Sequence, residues 1–261
     1  MFADRYTARL TECYDEQALH FSHTRKKHRP EIAYIYEFIK NYRTQKQPSS
    51  SPTLLEVGCG AGRGYEALRD VLPEAISYTG IDIAPGMIRL AKKSFATAQR
   101  KVAEMQSYLK NIQPETLDML IGIASVQHLF SPKERSLFFA HAYQALQRWG
   151  VMILVDRSYS EWFLKKYRRT ILKNSRRSLF SGWKWNDVII PWKDPGHAKQ
   201  KKTYQRYYHL FTLHELRQLA LHHGFVVRDL TYIWQDGLPT TDWRDSRNSV
   251  LIVEKAIVMN G

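Results

Sequence analysis

The feature that most constrains this chain is the run Glu56-Val57-Gly58-Cys59-Gly60-Ala61-Gly62-Arg63-Gly64, with glycine at every second position from 58. It follows a short apolar run from Thr53 to Val57 and precedes a helical stretch over 64–71. That context predicts a turn joining a buried strand to a helix. Glycine permits such a turn and lets the backbone approach a ligand that a Cβ would exclude. The alternation then continues, with strands expected over 76–83, 101–104, 116–124 and 151–156. Helices opening near Pro85 and spanning 132–148 separate them, a pattern that argues for a parallel sheet covered on both faces. After a helix over 213–223, strands over 225–232 and 249–254 enclose the turn-rich loop 237–245. That loop is short enough to join them as an antiparallel pair.

The rest of the chain divides around this core. Helices are expected over 5–19 and 30–42, and the turn formers of 45–52 (QKQPSSSP) mark a linker, so residues 1–52 read as a helical cap. Residues 53–261 form the main domain, a size ordinary for one core. Regular patterning stops after Arg157 until about residue 205, which predicts a long insertion over 157–206 after the fifth strand.

The glycine loop favours one nucleoside over others. Its spacing is G-x-G-x-G rather than the dinucleotide G-x-G-x-x-G. Glu56 precedes the first glycine by two, placed to complement the amino end of a methionine moiety. The second strand ends in Asp82 and Ile83, and Asp82 stands 24 residues beyond Gly58, placed to accept from both ribose hydroxyls. These point to S-adenosylmethionine on a Rossmann-like, seven-stranded class I methyltransferase sheet. Gly58, Cys59, Gly60 and Gly62 would cradle it. Glu104 would accept from the adenine amino group, Met105 would cover the ring, and Ile123 would line the adenosine pocket at the carboxyl end of the fourth strand.

Composition bounds the partners. Lys and Arg total 39 against 25 acids, a formal +14, and a basic surface attracts polyanions such as RNA. Fourteen of those cations fall within 157–206, against Glu161, Asp187 and Asp194. The same stretch holds Trp162, Trp183, Trp185 and Trp192. Cations interleaved with aromatics suit unpaired RNA, and a solvated lid is the alternative. Only Cys13 and Cys59 are present, so a reducing, cytoplasmic setting is expected, with no disulfide framework. No Cys or His cluster has metal-ligand spacing, so no metal is expected.

Three segments beyond the loop resemble one family. Tyr14-Asp15-Glu16-Gln17-Ala18-Leu19-His20-Phe21-Ser22-His23-Thr24-Arg25, Ile123-Ala124-Ser125-Val126-Gln127-His128, and Arg206-Tyr207-Tyr208-His209-Leu210-Phe211 are similar to motifs of the wobble-uridine tRNA methyltransferases. The final strand, 247–255, fits too. The pattern departs where Gln127-His128 replaces a double histidine, and Trp149-Gly150 a double glycine. Asp156-Arg157 after the fifth strand is a further departure. The resemblance implies methyl-ester formation on 5-carboxymethyluridine of tRNA, with a small zinc-binding activator as partner. A carboxylate acceptor is ionised at neutral pH and requires a clamp rather than a base. Arg25, Arg206, His20, His128, Tyr207 and His209 are the clamp and wall candidates, Arg offering bidentate geometry. Arg25 would alternatively hold the cofactor's own carboxylate. Methylation of a small acid or metabolite, or RNA binding without turnover, are the competing expectations.

Overall fold

Strand alternation sets the layers. The computed structural model describes residues 2–24, 30–45, 51–69, 71–72, 76–94, 98–181, 184–193 and 202–256. The chain runs α1 (Phe2–Glu16), α2 (Ala18–Thr24), α3 (Pro30–Gln45), β1 (Thr53–Val57), α4 (Arg63–Leu68), β2 (Ser77–Asp82), α5 (Pro85–Ser94), β3 (Gln99–Val102), α6 (Met105–Lys110) and β4 (Leu117–Ile123). There follow a 3-10 turn at Val126–His128, α7 (Pro132–Ala145), β5 (Leu146–Arg157), α8 (Glu161–Ser181), β6 (Asp187–Lys193), β7 (Thr203–His209), α9 (Leu213–His222), β8 (Val226–Ile233), β9 (Pro239–Thr240) and β10 (Asn248–Glu254).

The main sheet has the order β3-β2-β1-β4-β5-β10-β8-β9. Its first five strands are parallel, while β10 lies antiparallel to both β5 and β8. The seven expected strands are all present, and the two-residue β9 extends the edge. Side chains leave a strand alternately to either face. Leu55, Val57, Leu120, Met152, Leu154 and Leu251 therefore meet Phe138 and Phe139 of α7 and Leu216 of α9 on one side. Leu54, Met119, Ile121, Ile153 and Ile252 meet Ile35 and Ile39 of α3 and Leu68 of α4 on the other. The sheet is thus the middle of three layers. Among the described residues no helix is long and apolar enough to cross a membrane.

Two expectations require correction. The helix expected over 132–148 stops at Ala145, because the backbone N–H groups of Glu115 and Thr116 bond its last carbonyls, on Gln144 and Ala145. Its start is a full capping box, with Ser131 and Glu134 each serving the other's backbone and Pro132 in the first turn. The insertion is also more regular than its sequence pattern. It forms α8 and a separate two-stranded sheet of β6 and β7, with Arg206 opposite Ile190 and His209 opposite Asp187. Apolar periodicity missed this hairpin because it buries both faces, one against α8 and one against α1.

Phe139 is fully buried between the rings of Phe138, Phe225 and His223. Phe139→Ala is expected to cost about 3–5 kcal/mol through the cavity it leaves, read as a lower midpoint in urea unfolding.

Candidate functional site

The strand β1 ends in three left-handed turns, Gly58 at φ 68°, Gly60 at 54° and Gly62 at 86°. Their spacing turns the chain sharply into α4. Space also dictates glycine at Gly58, and at Gly64 just beyond the turn. A Cβ on Gly58 would lie 2.4 Å from Cβ of Ser125, and one on Gly64 would lie 2.2 Å from the Glu56 carboxylate. A Cβ on Gly60 would meet nothing within 4 Å, so this backbone faces open space. Asp82 holds the turn in register: Oδ2 accepts from the N–H of Gly60 at 2.9 Å, and Oδ1 from that of Ala84 at 2.9 Å. Burial raises the Asp82 carboxyl above the usual range, while those amide hydrogen bonds oppose the shift. Glu56 is buried, and its Oε2 accepts from the Tyr78 hydroxyl.

These residues line a cavity of about 580 Å³ that runs from the glycine loop to α8 and the start of β10. At the loop end stand Glu56, Gly58, Cys59, Gly60, Asp82, Ile83, Met105 and Ile123. Cys59 is buried, and burial holds its thiol protonated, well above the ordinary value. Ala124 and Ser125 continue the wall, and Ala124 takes φ 56°, a conformation that costs a non-glycine residue of order 1 kcal/mol or more. Its N–H bonds the Val155 carbonyl at 2.6 Å, tying the end of β4 to β5. Open backbone beside paired carboxylates is the donor and acceptor set that S-adenosylmethionine requires, so the residues present fit it.

The middle of the cavity is built across the chain. α1 supplies Tyr14, the 3-10 turn supplies His128, and β7 supplies Arg206 and Tyr208. The Tyr14 hydroxyl lies 3.2 Å from His128 Nε2, and His128 Nδ1 lies 2.8 Å from the Tyr207 carbonyl oxygen. A carbonyl only accepts, so Nδ1 carries the proton and Nε2 accepts from Tyr14. Burial pushes the His128 imidazole down to about 4, leaving it neutral. Burial likewise raises Tyr14, with the Tyr208 ring as the next cause. Arg206 stacks on Trp192 and Tyr208, at 4.6 and 5.3 Å from the ring centres. It is 8% exposed, and its Nε and Nη1 have no hydrogen-bond partner among the described residues.

Other candidates lie elsewhere. Tyr207 and His209 alternate with Arg206 and Tyr208 along β7, so they face away from the cavity. Tyr207 donates to Asp187 at 2.6 Å and packs on Tyr6 and Phe130. His209 is held between Asp187 at 2.6 Å and Glu215 at 2.8 Å, and it anchors the hairpin to α9. Glu104 is spent as the N-cap of α6, accepting from the N–H groups of Gln106 and Ser107, and does not line the cavity. Gly62 shapes the turn from behind the wall. His20 sits half-buried, 6.4 Å from Trp192, at the margin. Arg25 lies outside the described residues. Sequence reading assigned no role to Tyr14, Gln127, Arg157, Lys166, Tyr208 or Arg247, all of which line the cavity. Each nevertheless lay in a stretch that carried a signal: Tyr14, Gln127, Tyr208 and Arg247 in the resembling segments, Arg157 in the acid–arginine pair, and Lys166 among the cations of 157–206.

Comparison with known proteins follows the geometry. Residues 54–150 match the family described as Methyltransferase domain. The chain is similar to a malonyl-acyl-carrier-protein O-methyltransferase of Paenibacillus sp. (strain JDR-2), 26% identical over 42% of this chain and 41% of that protein. It thus spans less than half the length of that relative. A protein of Encephalitozoon cuniculi named as a methyltransferase is 25% identical over 87% of this chain and 90% of its own length. A solved S-adenosylmethionine-dependent methyltransferase from Methanosarcina mazei superposes with a TM-score of 0.63, at 23% identity, over 84% of this chain and 97% of that one. The methyltransferase in a Haloferax volcanii complex with the Trm112 activator does so at 0.59 and 13% identity, over 94% and 98%. Residues 54–150 thus match a methyltransferase domain, and the chain shares the fold of solved S-adenosylmethionine-dependent methyltransferases.

Two outcomes follow from this geometry. Gly58→Ala combines a left-handed φ with a clash against Ser125, and is expected to weaken S-adenosylhomocysteine binding at least 30-fold in calorimetry, with the fold retained. Asp156 is 1% exposed, and burial pushes its carboxyl up to about 7 from 3.8. The folded state thus holds a proton that the unfolded chain releases near pH 4. That stability is fullest below pH 4 and is lost as pH rises toward 7. Asp156→Asn is expected to remove this loss, narrowing the difference between pH 4.5 and 8 by about 1–3 kcal/mol in thermal unfolding.

Proposed function

We propose that this protein transfers the methyl group of S-adenosylmethionine to a carboxylate oxygen, forming a methyl ester, with Arg206 as the carboxylate clamp. The observation that carries this reading is the buried Arg206 guanidinium, lining the cavity with two nitrogens unpartnered. A buried cation without an anion costs several kcal/mol, a penalty that an arriving carboxylate offsets. Arg geometry suits such a group, since two parallel N–H donors match its two oxygens.

The protonation states support an acceptor that is already ionised. His128 is neutral with its lone pair engaged by Tyr14, and Tyr14 is held well above its ordinary value. Neither is poised to remove a proton near neutral pH. A carboxylate requires no such step. The cofactor supplies an electrophilic methyl group; Glu56 and Asp82 would hold its ammonium and ribose ends, with Met105 and Ile83 against the adenine. Tyr14, beside Arg206 in the cavity wall and bonded to His128, would hold the acceptor end close to the end of β4. Catalysis then rests on orientation, which contributes roughly 7–11 kcal/mol in well-aligned systems.

For the carrier of that carboxylate we favour tRNA bearing a carboxymethyl group at the wobble uridine, on the motifs around Tyr14 and Arg206. The cationic α8, with Arg168 and Arg169 exposed, adds to this. A small zinc-binding activator belongs to the same reading, on the resemblance alone. The second reading is a small or carrier-linked acid, favoured by the name of the Paenibacillus relative. Both readings share the ester chemistry.

The test is transfer of label from methyl-tritiated S-adenosylmethionine into total tRNA and, separately, into a panel of small acids. Base-labile label, released as volatile methanol, is expected, and label that resists base overturns the ester. Label in tRNA selects the first carrier, and label in acids alone selects the second. Arg206→Gln is expected to lower kcat/KM at least 100-fold while S-adenosylhomocysteine affinity stays within about threefold.

A further inference from the structure

Beyond Arg206, the far end of the cavity concentrates positive charge that nothing in the reading above employs. Arg157 at the end of β5, Lys166 on α8 and Arg247 before β10 all line it, together with Trp162, Tyr167 and Asn248. None of the three cations lies within salt-bridge distance of an acid among the described residues. The acids nearby are already engaged: Glu161 with Lys165 at 2.7 Å and Asp242 with Arg244 at 3.3 Å.

The cations are held by neutral groups instead. Arg157 Nη1 donates to Asn248 Oδ1 at 3.2 Å and to the Arg247 carbonyl at 3.5 Å. The Arg247 guanidinium lies 3.7 Å from the centre of the Trp162 ring, and its Nη2 donates to Gln235 at 2.5 Å. Lys166 sits over Trp162 and Tyr167, at 4.8 and 5.6 Å. Burial and the neighbouring Arg157 both disfavour the charge on Arg247, and no acid opposes them. Like charges are therefore pre-positioned, Arg247 by the Trp162 ring and Arg157 by Asn248, an arrangement that is unfavourable until an anion joins it.

We propose that Arg157, Lys166 and Arg247 form a phosphate subsite, so that the methyl acceptor carries a phosphate group in addition to the carboxylate held by Arg206. A single carboxylate would neutralise one of three cations, whereas a phosphate monoester brings about −1.5 to −2 and three acceptor oxygens. Arg157 and Arg247 offer the forked donors that such oxygens match. The subsite and the clamp open into one cavity, with Tyr167 beside both. The assignment rests on the carboxylate reading only for the position of the reacting end; the anion subsite stands on its own residues.

The full chain, saturated with S-adenosylhomocysteine at constant ionic strength, is titrated with inorganic phosphate by calorimetry. Saturable one-site binding is expected. The double variant Arg157→Gln, Arg247→Gln should weaken it at least tenfold, with S-adenosylhomocysteine affinity within twofold of the parent. Lys166→Gln, on an exposed side chain that the fold does not require, should weaken it threefold or more. Absence of saturable phosphate binding overturns the proposal. So does unchanged affinity in Lys166→Gln together with the double variant, or a loss produced by Arg206→Gln instead. Uridine 5′-phosphate and glycerol 3-phosphate then compare carriers. A tenfold preference for the former assigns a nucleotide, with Trp162 and Tyr167 against the base; equal binding assigns a phosphate on a non-nucleotide alcohol, and either supports the subsite. Failure of the parent chain to bind S-adenosylhomocysteine sinks the methyltransferase reading separately.

Discussion

The turn between β1 and α4 is the constraint on which the site is built. Three left-handed glycines turn the chain into α4; the Gly62 N–H closes on the Cys59 carbonyl, and the Asp82 carboxylate gathers that of Gly60 while capping its own turn at Ala84. This couples the ends of β1 and β2, the two strands whose carboxyl ends form one side of the cavity. A side chain at Gly58 would push Ser125 and the end of β4 outward, so the same turn also sets the width of the opposite wall. The strained Ala124 is tolerated because its N–H is bound to β5, which keeps that wall close.

A second constraint acts through the hairpin. β7 alternates two kinds of residue: Arg206 and Tyr208 toward the cavity, Tyr207 and His209 toward a buried network with Asp187, Glu215 and Arg135. The network pins the hairpin to α7 and α9. α1 packs along the same strand, with Tyr6 against Tyr207 and Lys202 bridging Glu12 and Glu16 just before β7. Arg206 is thus fixed from both sides before any ligand arrives, which is what lets a buried cation persist without a carboxylate of its own. Two of the insertion's cations, Lys165 and Lys202, are spent in such ion pairs, while Arg157 and Arg206 line the cavity and the exposed Lys166 stands at its rim. The basic charge of this segment therefore serves the interior of the site as well as its surface.

Much of the frame was legible beforehand. Short apolar runs alternating with helical stretches place β1, β2, β4, β5, β8 and β10, because the sheet must bury its faces against helices. The G-x-G-x-G run and Asp82 mark the cradle, since only glycine tolerates those dihedrals and an acid at a strand end has few structural partners. Less was legible at the acceptor end. Glu104 has the right position in sequence for an adenine contact, yet two free amides at the start of α6 claim its carboxylate first. Tyr207 and His209 lie in the same motif as Arg206, and only their parity along a strand separates network from cavity.

What the sequence by itself determined is local: the left-handed turn, the alternating strands and helices, and the class of ligand that an open glycine backbone beside carboxylates accepts. Those follow from dihedral and periodicity rules that act over a few residues. The middle and far end of the cavity were decided only in three dimensions, where residues as distant as Tyr14, His128, Arg206 and Arg247 line one space. Their meeting depends on which face of α1, α8 and β7 is buried, and burial is a property of the packed whole.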